Sequence, residues 1–128
     1  MTQLRPGDVV AVYDATVRPP KTKRLLCVAV AEGWFLRINT NPHFRPHHLI
    51  AVADNAACLD HDSFVELRGV LDWDMDALAE MLERREAAIL GRIGALTARS
   101  LIAAVLLEVQ DAILRQLQII GPVDPPER

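Results

Sequence analysis

Between residues 18 and 48 the chain places Arg18, Lys21, Lys23, Arg24, Arg37 and Arg45 against one acidic residue, Glu32, and adds His43, His47 and His48. That is a local charge of about +5 in a chain whose formal net charge is −3. Such a patch meets phosphates. Arg24 is one candidate, because a guanidinium stays charged and grips phosphate in a fork. His47 or His48 would move a proton near neutral pH, Arg37 and Arg45 would hold flanking phosphates, and Phe44 or Trp34 would stack a base. Lys21, Lys23 and Asn39 complete the same rim as substrate contacts. The competing reading is a solvated loop whose lysines protect a sheet edge. A metal site is not expected: Pro42 and Pro46 deny His43, His47 and His48 a helical register, and no carboxylate falls among them at ligand spacing. His61, within LDHDS, reads as a turn residue, and Asp60, Asp62 and Ser63 read as side chains that fix that turn through backbone bonds.

These residues need elements to position them, and a hairpin does so. Leu25 to Ala31 is an unbroken apolar run, and after Glu32 and Gly33 a second run follows at Trp34, Phe35, Leu36 and Ile38. A two-residue link ending in Gly fits a tight turn, and runs of this kind read as buried strands. The entrance of the hairpin then carries Lys21, Lys23 and Arg24, and its exit carries Arg37, Asn39, Thr40 and Asn41, so that cations and polar donors converge on one rim.

Around the hairpin, Val9 to Tyr13 form a first strand after the turn at Arg5, Pro6 and Gly7. Pro19 and Pro20 stiffen the loop before Lys21. Leu49 to Ala53 form a further strand, and Ser63 to Leu71 alternate as a half-buried one, with Val65 and Leu67 inward and Glu66 and Arg68 outward. Five short strands in some seventy residues predict a small, strongly bent barrel, so the fold class is mainly β (α+β), a small barrel followed by two C-terminal helices. From Asp74, a plausible N-cap, Met75, Leu78, Leu82 and Ile89 follow helical spacing to about residue 91, with Glu80 and Arg84 as an i,i+4 pair. A second helix over 97–120 carries a wide apolar stripe through Leu101, Val105, Val109, Ile113 and Leu117. It is expected to pack across the first helix and against a second subunit. The barrel thus occupies 1–73, the helical extension 74–120 and a Pro-rich tail 121–128.

At 128 residues, about half of them apolar, the chain is one globular domain with a real core. No apolar run reaches the length of a membrane span and the opening MTQLRPGDVV lacks the apolar middle of a signal peptide, so the expected location is cytoplasmic. Cys27 and Cys58 are too few for a disulfide framework and read as small core residues.

Three segments in order resemble the MazF/PemK family of plasmid-maintenance and stress toxins, small SH3-like barrels. RPGDVVAVY is similar to the family's first strand, KRLLCVAV to its basic residue and aliphatic strand, and CLDHDSFVELRGVLDWDMDAL to its Leu-x-x-Asp-Ser turn, strand and helix. RPHHLIAV resembles the entry to a further strand. Together they cover most of residues 4 to 82. The resemblance implies a homodimer that cleaves single-stranded RNA without metal or cofactor, the 2′-hydroxyl attacking the adjacent phosphate. It maps the family's Arg onto Arg24, which would stabilise the phosphorane, and its Ser or Thr onto Thr40, and it implies an antitoxin protein as partner. Leu25 stands where the family has Pro. The alternative from a different class is a non-catalytic small-barrel protein that binds nucleic acid or a protein partner through the same rim.

Overall fold

The computed structural model describes residues 4–14, 18–42 and 46–108 of the chain, with side chains left undescribed at 14 and 106–108. His43, Phe44 and Arg45, the helix expected beyond residue 108 and the tail 121–128 lie outside the described residues. Among the described residues seven antiparallel strands form one open sheet, accompanied by two helices, a mainly β arrangement of the α+β kind.

Strand β1 is Asp8–Asp14. Its start is set by Asp8, which is 5% exposed and accepts from the Arg5 amide at 2.8 Å. β2 (Lys21–Ala29) pairs antiparallel with β1, and β3 (Trp34–Asn39) pairs antiparallel with β2. The link between β2 and β3 runs from Val30 to Gly33, longer than the two residues expected, because the register shifts between Cys27 and Ala29. Gly33 has φ +70°, and a Cβ there would lie 2.3 Å from the Trp73 carbonyl oxygen, so only glycine fits. The close approach is used: the Trp73 amide donates to the Gly33 carbonyl at 2.8 Å.

Both faces of the hairpin are covered, which is why its apolar runs are unbroken rather than alternating. Leu26, Val28, Leu36 and Ile38 join one core with Val9 and Val65, while Leu25, Cys27 and Phe35 join a second with Val10 and Val12. Each fully buried Leu or Phe here contributes about 1.5–3 kcal/mol relative to exposure.

β4 (His47–Ile50) begins earlier than expected and gives way to a 3-10 turn at Val52–Asp54. The single strand expected over 63–71 is two: β5 (Ser63–Glu66) pairs with the end of β3 and with β4, and β6 (Leu71–Asp72) pairs with the start of β3. Val65 and Leu67 face inward as expected, but Glu66 is buried as well, at 3% exposure.

Helix α1 (Met75–Glu83) begins where the sequence placed it, with the Asp74 carboxylate accepting from the Asp76 and Ala77 amides at 2.9 and 3.3 Å. Arg84 and Glu80 pair at 2.6 Å. The helix ends eight residues before residue 91, and Arg85, with φ 61°, turns the chain. Residues Ala87–Arg92 are β7, paired antiparallel with β1 so that Val12 faces Ala87 and Val10 faces Ile89. The helical spacing of Ile89 was coincidental; the open edge of β1 claims it. Half-buried Arg92, whose Nε lies 3.6 Å from Asp8 Oδ1, fastens that pairing. The segment after residue 73 therefore gives the sheet a strand as well as helices. The sheet order is β4-β5-β3-β2-β1-β7, with β6 on β3, and five expected strands become seven. Helix α2 is described over Ala95–Glu108 and buries Ala98, Leu101, Ala104 and Val105 in the first core, whereas α1 buries Leu78 in the second.

Candidate functional site

Antiparallel pairing sets the beginning of β2 beside the end of β3, with Arg24 opposite Ile38 and Leu25 opposite Arg37. The charged entrance and polar exit of the hairpin are thereby brought together. A pocket of about 440 Å³ opens there, and Lys21, Lys23 and Arg24 line it from β2, Arg37, Asn39 and Thr40 from β3 and its end. His61, Ser63 and Glu66 close the remaining side. Six residues singled out in the sequence thus share one cavity, Arg24 and Thr40 among them.

His47 and His48 are not part of it. The His47 and Phe64 rings pack in a T-shaped pair, 5.2 Å between centroids, and the His48 Nε2 lies 2.8 Å from Ser100 Oγ beside a separate recess of about 220 Å³. The imidazole that does line the pocket is His61. Its ring Nδ1 lies 2.9 Å from the Asp62 carbonyl oxygen and 3.2 Å from Ser63 Oγ, so it is a turn residue as read, and a pocket residue besides. The turn is also held as expected by Asp62, whose carboxylate accepts from the Val52 amide at 2.9 Å, and by Ser63, whose hydroxyl donates to the His61 carbonyl at 3.1 Å. Nothing local in LDHDS marks His61 as facing Arg24; β5 pairing with β3 carries it there.

Two carboxylates temper the cations. Asp60, read as a turn-fixing residue, instead accepts from Arg24 Nη1 at 2.9 Å, and the same oxygen lies 3.4 Å from His61 Nε2. The Arg24 guanidinium holds the Asp60 carboxyl below its ordinary value of 3.8. Glu66 lies deeper. Asn39 Nδ2 donates to its Oε1 at 2.8 Å, and its Oε2 stands 4.0 Å from Arg37 Nη1 and 3.7 Å from Arg68 Nη2. A carboxylate this far from water needs such company, since an unpaired buried charge is costly. Lys21, Lys23, Arg24 and Arg37 still outnumber Asp60 and Glu66, so the pocket attracts anions.

The arrangement offers a forked cation, an imidazole, the hydroxyls of Thr22, Thr40 and Ser63, and flanking cations within one cavity. Among the described residues no three His, Cys, Asp or Glu side chains stand close enough to hold a metal ion. Burial pushes the thiols of Cys27 and Cys58 up to about 12 and about 11, which leaves them protonated and inert as nucleophiles near neutral pH. No helix among the described residues is long and apolar enough to cross a membrane. Comparison with protein-family models, curated proteins and solved structures finds no match to this chain.

Proposed function

We propose that this chain is a MazF/PemK-like endoribonuclease that cleaves single-stranded RNA without a metal, as the toxin of a toxin–antitoxin pair. The observation that carries the reading is the convergence of Arg24 and Thr40 in one open, cation-lined pocket that also holds His61. In this reaction the 2′-hydroxyl oxygen of one ribose attacks the adjacent phosphorus and gives up its proton. The bond from phosphorus to the 5′ oxygen breaks, that oxygen takes a proton, and the products are a 2′,3′-cyclic phosphate and a 5′-hydroxyl. Negative charge grows on the phosphorane, where Arg24 neutralises it most effectively because its orientation is set in advance. Thr40 hydrogen-bonds the same phosphoryl group. His61 takes the proton-transfer role that the sequence had given to His47 or His48, since a neutral imidazole has one ring nitrogen that accepts a proton and one that donates it. Lys21, Lys23 and Arg37 hold flanking phosphates. The same reading carries a homodimer in the cytoplasm whose partner is an antitoxin protein that covers the groove.

One observation favours the second reading, a non-catalytic nucleic-acid-binding module. Arg24 is engaged by Asp60 at 2.9 Å, and an arginine committed to its own carboxylate serves binding more readily than transition-state charge.

The test is incubation of a mixed-sequence single-stranded RNA with the purified protein in EDTA, beside Arg24→Ala and His61→Gln. Cleavage leaving a 2′,3′-cyclic phosphate in the wild type, lost in Arg24→Ala and reduced about 100-fold or more in His61→Gln, is expected. No cleavage at high protein concentration refutes the nuclease reading. Salt-dependent RNA retention in that same sample then supports the binding module.

A further inference from the structure

One oxygen of Asp60 bridges two residues of the pocket. Its Oδ1 accepts from Arg24 Nη1 at 2.9 Å and lies 3.4 Å from His61 Nε2, and both of those partners line the cavity. A guanidinium and an imidazole gathered around one anionic oxygen form the same seat that an oxygen of a bound phosphate would take. The chain presents an anion of its own to that seat.

The contact is built to let go. The Asp60 side chain is 69% exposed, so its carboxylate returns to water at little cost, and an exposed pair of this kind holds weakly. The turn does not depend on it either: the Asp62 carboxylate accepts from the Val52 amide at 2.9 Å, and the Ser63 hydroxyl donates to the His61 carbonyl at 3.1 Å. Glu66 is the contrast. With 4% of its side chain exposed and bonded by Asn39, it is fixed in place between Arg37 and Arg68. We propose that Asp60 is an autoinhibitory latch, which occupies Arg24 in the free protein and is displaced into solvent when an anionic ligand takes that guanidinium. The latch subtracts from affinity, because each binding event first breaks the Arg24–Asp60 pair. It rests on the reading of the pocket as a nucleic-acid site, and it holds for a nuclease and for a binding module alike.

The experiment measures binding of a single-stranded 2′-fluoro RNA by fluorescence anisotropy at low salt and pH 7. That strand has no 2′-hydroxyl to attack its phosphates and stays intact. Asp60→Ala should bind it about two- to fivefold more tightly than the parent protein, the range set by an exposed ion pair. Removing a negative charge also strengthens binding through the general field, so the same substitution is made in an Arg24→Ala background. There the gain should shrink to within about 1.5-fold, since the latch acts only through that guanidinium. A gain of equal size with and without Arg24 overturns the latch and makes general charge the cause. Unchanged binding in Asp60→Ala overturns it too, and weaker binding gives Asp60 the opposite role, of holding Arg24 ready for the ligand; in each of these cases the nucleic-acid reading stands. Retention of the strand by neither the parent protein nor Asp60→Ala overturns both.

Discussion

Replacing Asn55 by alanine tests how the loop that carries Asp60 and His61 is held. Asn55 is 2% exposed, and its side chain makes three bonds. Its Nδ2 donates to the Ala51 carbonyl at 2.8 Å and to Thr97 Oγ1 at 2.9 Å, and its Oδ1 accepts from the Gly94 amide at 2.8 Å. One side chain thus joins the 3-10 turn after β4 to the junction of β7 and α2. Gly94 is what lets the two segments meet: a Cβ there would lie 2.6 Å from the Asp54 carbonyl oxygen. In Asn55→Ala the Gly94 amide loses its partner, while the Ala51 carbonyl keeps the Asp54 amide at 3.2 Å and the Thr97 hydroxyl can rotate to another. A buried polar group left unpaired costs about 1–3 kcal/mol, so the orphaned Gly94 amide predicts a loss of about 1–3 kcal/mol. That is a large share of the about 5–15 kcal/mol that holds a typical domain. Urea unfolding followed by Trp fluorescence should show a lower midpoint at unchanged m-value. A loss below about 1 kcal/mol would refute the assignment of Asn55 as the bolt between these segments.

The inertness assigned to the cysteines is checked with a thiol reagent at pH 8: neither Cys27 nor Cys58, with thiols pushed up to about 12 and about 11, should react in the folded protein, and both should react in denaturant. Prompt labelling of the native chain would contradict their burial. Asp60 should stabilise the fold in a pH-dependent way. Its folded pKa is lowered by Arg24, so the contribution is present above its unfolded value and is lost as pH falls through the folded one. The difference in urea midpoint between wild type and Asp60→Asn should accordingly exist at pH 7 and close as pH drops below 3.8; a difference that persists in acid would mean that the ion pair is not its source.

Much of the fold was legible because its signals are local. The apolar runs on either side of Glu32 and Gly33 specify a hairpin through their own composition, and the Asp74 carboxylate caps α1 by bonding amides two and three residues ahead. The rim followed at once, because in any hairpin the start of the first strand meets the end of the second; Lys21, Lys23, Arg24, Arg37, Asn39 and Thr40 converge for that reason alone. The strand β7 was not legible. Ala87, Ile89 and Leu90 fit a helical face as well as an extended one, and only the unfilled edge of β1, some 80 residues earlier in the chain, decides between them.

Charge placement divides in the same way. The sequence by itself determined that a cationic rim exists, since the count of Lys and Arg between residues 18 and 48 does not depend on folding. Which acids enter that rim was decided by tertiary structure. Glu66 sits at an outward position of an alternating strand, yet Asn39, Arg37 and Arg68 together supply the partners that let it be buried. Asp60 and His61 belong to a turn whose own bonds would satisfy it anywhere. They face Arg24 because β5 pairs with β3, a contact between segments more than 20 residues apart that no local pattern encodes.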